Sequence, residues 1–203
     1  MKNHDKRIVI FGGAFSPPHL GHVIAIDALV RLFPCDEIWV MPSADRQDKI
    51  ISVSGEHQQQ MLAIVINDLF PQPHVPIIIS SWELDLPSLT TTYKTKLELN
   101  KKYPDYEFYF LVGSDIAGDI KDKWIDGAKL WQSANFIVIK KFGHVLPEKL
   151  PPKVTILDDG AVGANISSTF VRKLIAEGHS GVPYILPNVA EYIRDNGLYK
   201  ILN

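Results

Sequence analysis

Two histidines, His19 and His22, follow a glycine turn at the start of a predicted helix. The turn and the histidines read Phe-Gly-Gly-Ala-Phe-Ser-Pro-Pro-His-Leu-Gly-His over residues 11–22. An apolar run, Ile8–Phe11, precedes the turn, and a helical pattern, Val23–Phe33, follows it. Free backbone N–H groups and the helix dipole favour an anion at such a helix start. Imidazoles three residues apart share one helical face, where they can donate hydrogen bonds to phosphoryl oxygens.

The glycine turn also has an ordinary explanation, because an α/β protein needs a tight turn after its first strand. Gly12 and Gly13 remove side chains where a phosphate would approach the backbone. The chain contains neither G-x-G-x-x-G nor G-x-x-x-x-G-K-[ST], which argues against a redox dinucleotide site and a P-loop. The histidines could also form half of a metal site, but no second ligand cluster follows, so we predict no protein-held metal.

A second helix start lies near the other end of the chain. Ser167, Ser168 and Thr169 precede an apolar-periodic run, which is a typical N-cap signal. Hydroxyls and free N–H groups at a helix start can also bind an anion, and Arg172 lies one turn further on, where its guanidinium could hold a phosphate. Together with the first segment, this predicts that one helix start binds each end of a triphosphate.

These two segments resemble the signatures of a known family. Residues 11–22 resemble the G-G-x-F-x-P-x-H-x-G-H signature of the HxGH nucleotidylyltransferase superfamily, and residues 166–172 resemble its I-S-S-T-x-x-R signature. Within the superfamily the chain is most similar to the bacterial nicotinate-nucleotide adenylyltransferases. That similarity extends over nearly the whole chain and includes Tyr184–Pro187 and Tyr192–Tyr199.

The resemblance implies adenylyl transfer from ATP to nicotinate mononucleotide, which releases pyrophosphate and forms the deamido dinucleotide of NAD synthesis. His22 is expected to act at the α-phosphate with His19 as its partner, and Arg172 completes the expected catalytic set. Mg²⁺ is expected to bind through the ATP phosphates. The residues expected to contact ATP are Gly12, Gly13, Ala14, Phe15, His19, His22, Gly113, Asp115, Ile166, Ser167, Ser168 and Arg172.

Gly113 and Asp115 belong to this set because Gly113–Asp115 resembles the family's Gly-x-Asp, whose acid can bind a ribose hydroxyl. An ordinary strand-to-helix turn explains the segment equally well.

Four residues are expected at the acceptor: Thr91, Thr92, Trp124 and Lys49. By resemblance, the backbone of the threonine-rich segment binds the nicotinate end, and Trp124 stacks on the pyridine ring. The alternatives are a helix cap for the threonines and a core position for the tryptophan.

The match to the family fails at two places. Many relatives carry Pro-Pro-His-Lys after the second strand, where this chain has Asp45–Lys49, so Lys49 or Arg46 would have to supply the positive charge. Ala14 and Ser16 stand where the family usually has Thr and Asp. Nicotinamide mononucleotide and phosphopantetheine therefore remain alternative acceptors. A nucleotide-binding protein without catalysis is the alternative of another class.

Composition bounds the remaining possibilities. At 203 residues, with 46% hydrophobic and 22% charged residues, the chain is expected to form one domain over residues 1–203. A net charge of −2 gives no reason to expect nucleic acid or membrane binding. No apolar run is long enough for a signal peptide core or a membrane span, so a cytoplasmic protein is expected. The sequence is silent on assembly, although relatives often form homo-oligomers.

Short apolar strands alternate with helical patterns along the chain. This alternation predicts a Rossmann-like, doubly wound α/β fold with a mostly parallel sheet and helices on both faces. The all-apolar Ile8–Phe11 and Ile77–Ile79 are expected to be strands buried on both sides. Predicted strands are Arg7–Phe11, Glu37–Met41, Val75–Ser81, Tyr106–Val112, Asn135–Lys140 and Val154–Leu157. Predicted helices are His19–Phe33, Glu56–Leu69, Thr92–Tyr103, Gly127–Gln132, Thr169–Ala176 and Pro187–Asp195.

Overall fold

The computed structural model describes residues 5–44, 52–86, 90–157 and 164–200. Within these residues lies a six-stranded sheet of order β3-β2-β1-β4-β5-β6, in which every neighbouring pair is parallel. The strands are β1 Lys6–Gly13, β2 Glu37–Pro42, β3 Ile77–Ile79, β4 Tyr106–Gly113, β5 Asn135–Ile139 and β6 Val154–Leu157. The predicted Rossmann-like fold is confirmed.

Side chains alternate between the two faces of the sheet along each strand, so each face carries apolar side chains. Helices therefore cover both faces. Val9 packs with Ile26 and Leu29 on one face, whereas Ile8 packs with Leu130 on the other. The helices are α1 Leu20–Leu32, α2 Gly55–Leu69, α3 Thr92–Lys102, α4 Ser114–Ala117, α5 Ile120–Lys123, α6 Gly127–Ser133, α7 Ser168–Ala176 and α8 Pro187–Asp195.

A third apolar cluster attaches the C-terminal helices to α2. Val171 of α7 and Ile193 of α8 pack with Met61 and Val65 of α2. This packing brings the second sequence motif, at the start of α7, next to the first motif, at the start of α1.

The prediction was wrong for β3 and missed two short helices. Ile77–Ile79 was expected to be buried on both sides, but among the described strands β3 lies at the edge of the sheet next to β2, and Ile78 is 41% exposed. An apolar run alone does not distinguish an edge strand from a central one. The helices α4 and α5 were not predicted, because four residues each are too few to produce a periodic pattern.

The strand order reverses between β1 and β4, which are neighbours in the sheet but not in the chain. Ligands of open α/β sheets bind at such a switch point, beyond the carboxyl ends of the strands. The glycine turn after β1 and Gly113 at the end of β4 both lie there. In the described part of the chain, no helix combines the length and apolar character that a membrane crossing requires.

Candidate active site

Helix α1 begins with a reciprocal cap formed by the two histidines. His19 is the N-cap residue, and its Nδ1 accepts a hydrogen bond from the Gly21 N–H at 3.1 Å. The His22 Nδ1 accepts a hydrogen bond from the His19 N–H, also at 3.1 Å. The two rings stack with centroids 3.7 Å apart. The two histidines take the positions that Ser and Glu occupy in the usual capping box.

These caps decide which ring nitrogen carries the proton. Since Nδ1 of each ring accepts a hydrogen bond, a neutral ring carries its hydrogen on Nε2 and can donate it there. Burial, together with the positive charge of Lys141, lowers the pKa of His19 from 6.5 to about 4. At neutral pH His19 is therefore an uncharged hydrogen-bond donor with its ring held in place.

The second motif contacts the first directly. The Ser168 Oγ donates a hydrogen bond to the Pro17 carbonyl at 2.9 Å. The Arg172 Nη1 donates to the Ser16 carbonyl at 2.7 Å, and its Nη2 donates to the Thr169 hydroxyl at 3.1 Å. The guanidinium thus holds the loop that leads into the two histidines.

Ser167 is the N-cap of α7, as its sequence context predicts, and its hydroxyl accepts from the Phe170 N–H at 3.2 Å. The cap explanation and the anion-site explanation are compatible, because capping uses one acceptor and leaves the hydroxyl proton and the remaining helix N–H groups as donors.

A cavity of about 390 Å³ opens between the two helix starts and the ends of β1, β4 and β5. Gly13 and Arg172 do not line it: Gly13 lies against the Phe15 ring, and Arg172 contacts the adjoining loop. The cavity walls contain these residues predicted to contact ATP: Gly12, Ala14, Phe15, His19, His22, Gly113, Asp115, Ile166, Ser167 and Ser168.

At the end of β4, Asp115 forms an ion pair with Lys141. The Lys141 Nζ lies 2.8 Å from the Asp115 Oδ2, and both side chains are about a quarter exposed. Gly113 makes room for this carboxylate, because a Cβ there would lie 2.3 Å from the Asp115 Oδ1. The cavity therefore has a carboxylate and a cation side by side at its β4–β5 edge.

Sequence reasoning missed Lys140 and Lys141, which both line the cavity. They directly follow β5, whose carboxyl end lies at the same sheet edge as that of β4. Their position directly after β5 is the sequence feature that could have identified them as site residues. Among the described residues, no group of three or more His, Cys, Asp or Glu side chains could hold a metal ion.

Sequence reasoning also missed a tyrosine from the C-terminal segment. The hydroxyls of Tyr199 and Ser16 are hydrogen-bonded at 3.1 Å, and burial raises the pKa of Tyr199 to about 12. Tyr199 had been noted only as part of the family-like C-terminus. It supports the same loop that Arg172 holds.

Three of the residues predicted at the acceptor, Thr91, Thr92 and Trp124, do not line this cavity. Thr91 is the N-cap of α3 and accepts from the Lys94 N–H at 3.2 Å, and Thr92 is the first residue of that helix. Trp124 ends α5 and is partly buried against the apolar cluster on the α3 face of the sheet. Lys49 lies outside the described residues.

The profile of the cytidylyltransferase-like family matches residues 10–174, which include both motifs. The chain belongs to the cytidylyltransferase-like family. This match, together with the relatives below, confirms the resemblance to nucleotidylyltransferases that the two motifs indicate.

Similar proteins and similar solved structures support this family assignment. The chain is 33% identical to the "Probable nicotinate-nucleotide adenylyltransferase" of Lactiplantibacillus plantarum, over 96% of this chain and 89% of the relative. Its structure is similar to that of the Plasmodium falciparum nicotinic acid mononucleotide adenylyltransferase complexed with NaAD. The TM-score is 0.83 and the identity 29%, over 96% of this chain and 97% of the other. The same Plasmodium enzyme complexed with APC matches with the same TM-score and coverage at 28% identity.

Proposed function

We propose that this protein is a nicotinate-nucleotide adenylyltransferase of NAD biosynthesis. The reaction transfers the adenylyl group of ATP to nicotinate mononucleotide and gives the deamido dinucleotide and pyrophosphate. The relatives' descriptions name this activity, and the two-histidine helix start at the sheet's switch point supplies a site suited to phosphoryl chemistry.

In the proposed reaction a phosphate oxygen of the mononucleotide attacks the α-phosphorus of ATP. The bond from the α-phosphorus to the bridging oxygen of the β-phosphate breaks as the new P–O bond forms, and pyrophosphate leaves. No covalent enzyme intermediate is needed. The protein's contribution is positioning and stabilisation of the charge that develops on the phosphoryl oxygens.

We assign the α-phosphate to His22 and its partner His19. Both rings direct their donor capacity to Nε2 because Nδ1 is occupied by a helix-cap hydrogen bond. His19, which is uncharged at neutral pH, can hydrogen-bond a phosphoryl oxygen through Nε2–H while its Nδ1 stays in the helix cap. The positive end of α1 adds to the stabilisation.

The β- and γ-phosphates are assigned to the start of α7. Ser167 and Ser168 line the same cavity as the histidines, at the start of α7, where the helix N–H groups are. Arg172 hydrogen-bonds the Ser16 carbonyl, so it orders this edge of the site and presents its charge to the phosphates from there. Asp115 is assigned to a ribose hydroxyl, with Lys141 holding the carboxylate in position.

Magnesium fits this site as part of the substrate Mg-ATP. The described side chains offer no group of three ligands for a metal, which is compatible with an ion held chiefly by phosphates. When bound, Mg²⁺ offsets the negative charge of the triphosphate.

We assign the acceptor to Thr91, Thr92 and Trp124, which do not line the nucleotide cavity, and its phosphate to Lys49. A flat indole face suits the pyridine ring. Buried Thr95 donates a hydrogen bond to Glu83 at 2.9 Å, which fixes the first turn of α3 on which the threonines lie. A single domain, a cytoplasmic location and a homo-oligomer remain predictions.

The observation that carries the proposal is that the pair of Nδ1-anchored histidines lines one cavity together with Ser167 and Ser168. The test is incubation with Mg-ATP and nicotinate mononucleotide, followed by mass spectrometry of the nucleotide product and assay of pyrophosphate. We expect the deamido dinucleotide and pyrophosphate in equal amounts. Phosphate and ADP, or no consumption of ATP, would contradict the proposal.

A further inference from the structure

Gln58 of α2 joins two walls of the site through one amide group. Its side chain is buried, with the residue 1% exposed. The Nε2 group donates hydrogen bonds to the Ala14 carbonyl at 2.5 Å and to the Ser43 carbonyl at 3.2 Å. A single side chain thus satisfies one main-chain acceptor after β1 and one after β2.

The two carbonyls belong to segments with different proposed tasks. Ala14 lies in the phosphate-binding turn and lines the nucleotide cavity. Ser43 follows the last residue of β2 and is two positions from the Asp45–Lys49 segment, to which the acceptor's phosphate is assigned. The Ser43 N–H also donates to the Gly13 carbonyl at 2.9 Å, so the two segments already run side by side.

The helix that carries Gln58 is firmly anchored. Leu62, one turn further along α2, is fully buried against the sheet, and Met61 is fully buried against α8. Gln58 also lines a second cavity of about 450 Å³, together with Ala44 and Leu84. The amide is therefore carried by a well-packed helix and reaches two main-chain carbonyls from there.

We propose that Gln58 is a positioning residue for adenylyl transfer, which holds the phosphate-binding turn at Ala14 in a fixed position relative to Ser43, just before the Asp45–Lys49 segment. This inference rests on the proposed function. In-line attack needs the two reactants held within a fraction of an ångström, and a misplacement of about 1 Å can lower the rate by about 10². Without the amide, the two main-chain carbonyls lose their shared donor, and the turn at Ala14 can shift although the Ser43 N–H still bonds the Gly13 carbonyl.

Two substitutions test the amide's N–H donation specifically. Gln58→Met keeps the length of the side chain and removes its hydrogen bonds, whereas Gln58→Glu keeps the shape but replaces the two N–H donors by at most one O–H donor, so it cannot serve both carbonyls. Gln60→Met, at an exposed position of the same helix, is the matched control. We expect both Gln58 variants to lose roughly 10- to 100-fold in kcat/KM, with raised KM values for ATP and for the mononucleotide, and the control to match the wild type.

Thermal unfolding of each variant, and assays well below its Tm, separate positioning from folding. A purely structural role would lower Tm and leave both KM values unchanged. Unchanged KM and kcat in folded Gln58→Met, or a Gln58→Glu variant as active as the wild type, would overturn the inference. If neither variant folds, Gln58→Asn provides the same test, because its shorter amide keeps the donors but cannot reach both carbonyls. An inactive wild type that still binds ATP would count against the proposed function instead.

Discussion

Replacing His22 by asparagine or glutamine separates the two tasks that the structure gives its ring. The Nδ1 atom accepts the His19 N–H and caps α1. The Nε2 atom is the proposed donor to the α-phosphate. The Asn Oδ1 is as many bonds from Cα as the His Nδ1, so His22→Asn preserves the cap acceptor and removes the donor. The Gln Nε2 is as many bonds from Cα as the His Nε2, so His22→Gln does the reverse.

The magnitudes follow from these two contacts. Removing one transition-state donor of this kind lowers kcat by about 10²–10³, so His22→Asn should fold normally and lose activity to that extent. His22→Gln should lose about 1 kcal/mol of stability with the cap, but should retain more of the activity than the asparagine variant.

The assay is steady-state pyrophosphate release at saturating Mg-ATP and nicotinate mononucleotide, with urea unfolding of the same preparations. His22→Ala, which lacks both contacts, is the reference for complete loss. An asparagine variant within a few-fold of wild-type kcat, or one more active than the glutamine variant, would refute the reasoning.

Three further predictions concern other parts of the site. Burial lowers the pKa of His19 from 6.5 to about 4, so between pH 4 and 6.5 the unfolded chain binds more protons than the folded chain. The free energy of unfolding should therefore increase with pH over this range, by ~3 kcal/mol at most, and then level off. His19→Asn should abolish that rise in urea unfolding, and a slope unchanged by the substitution would show that another group titrates. Gly113→Ala should displace the Asp115 carboxylate and raise the KM for ATP about tenfold, which corresponds to the loss of one charge-assisted hydrogen bond. The KM for the mononucleotide should change less. An unchanged KM for ATP would contradict the assignment of Asp115 to the ribose. Trp124→Ala should raise the KM for the mononucleotide about tenfold and far more than that for ATP, whereas Ile125→Ala, at an exposed neighbour, should change neither; equal effects on both substrates would make Trp124 a core residue.

The sequence predicts the parts of the site that are local in the chain. A strand, a glycine turn and a helix start are consecutive, so the position of His19 and His22 follows from residues 8–33 alone. The alternation of strands and helices likewise predicts the parallel sheet, because right-handed βαβ units leave few other topologies.

Contacts between distant segments could not be predicted in this way. The ion pair between Asp115 and Lys141 forms because β4 and β5 are neighbours, and the two hydrogen bonds of Gln58 depend on how α2 packs across the strand ends. Neither pattern has a characteristic spacing in the chain. The engagement of Arg172 by the Ser16 carbonyl is of the same kind, because it joins residues 156 positions apart.

The central claim is tested most directly by comparing kcat/KM for pyrophosphate release with three acceptors under identical Mg-ATP conditions. The acceptors are nicotinate mononucleotide, nicotinamide mononucleotide and phosphopantetheine. The proposed function predicts the highest value for nicotinate mononucleotide, which would also show that the altered Asp45–Lys49 segment accepts this substrate. Preference for another acceptor, or no release with any of the three while ATP still binds, would contradict it.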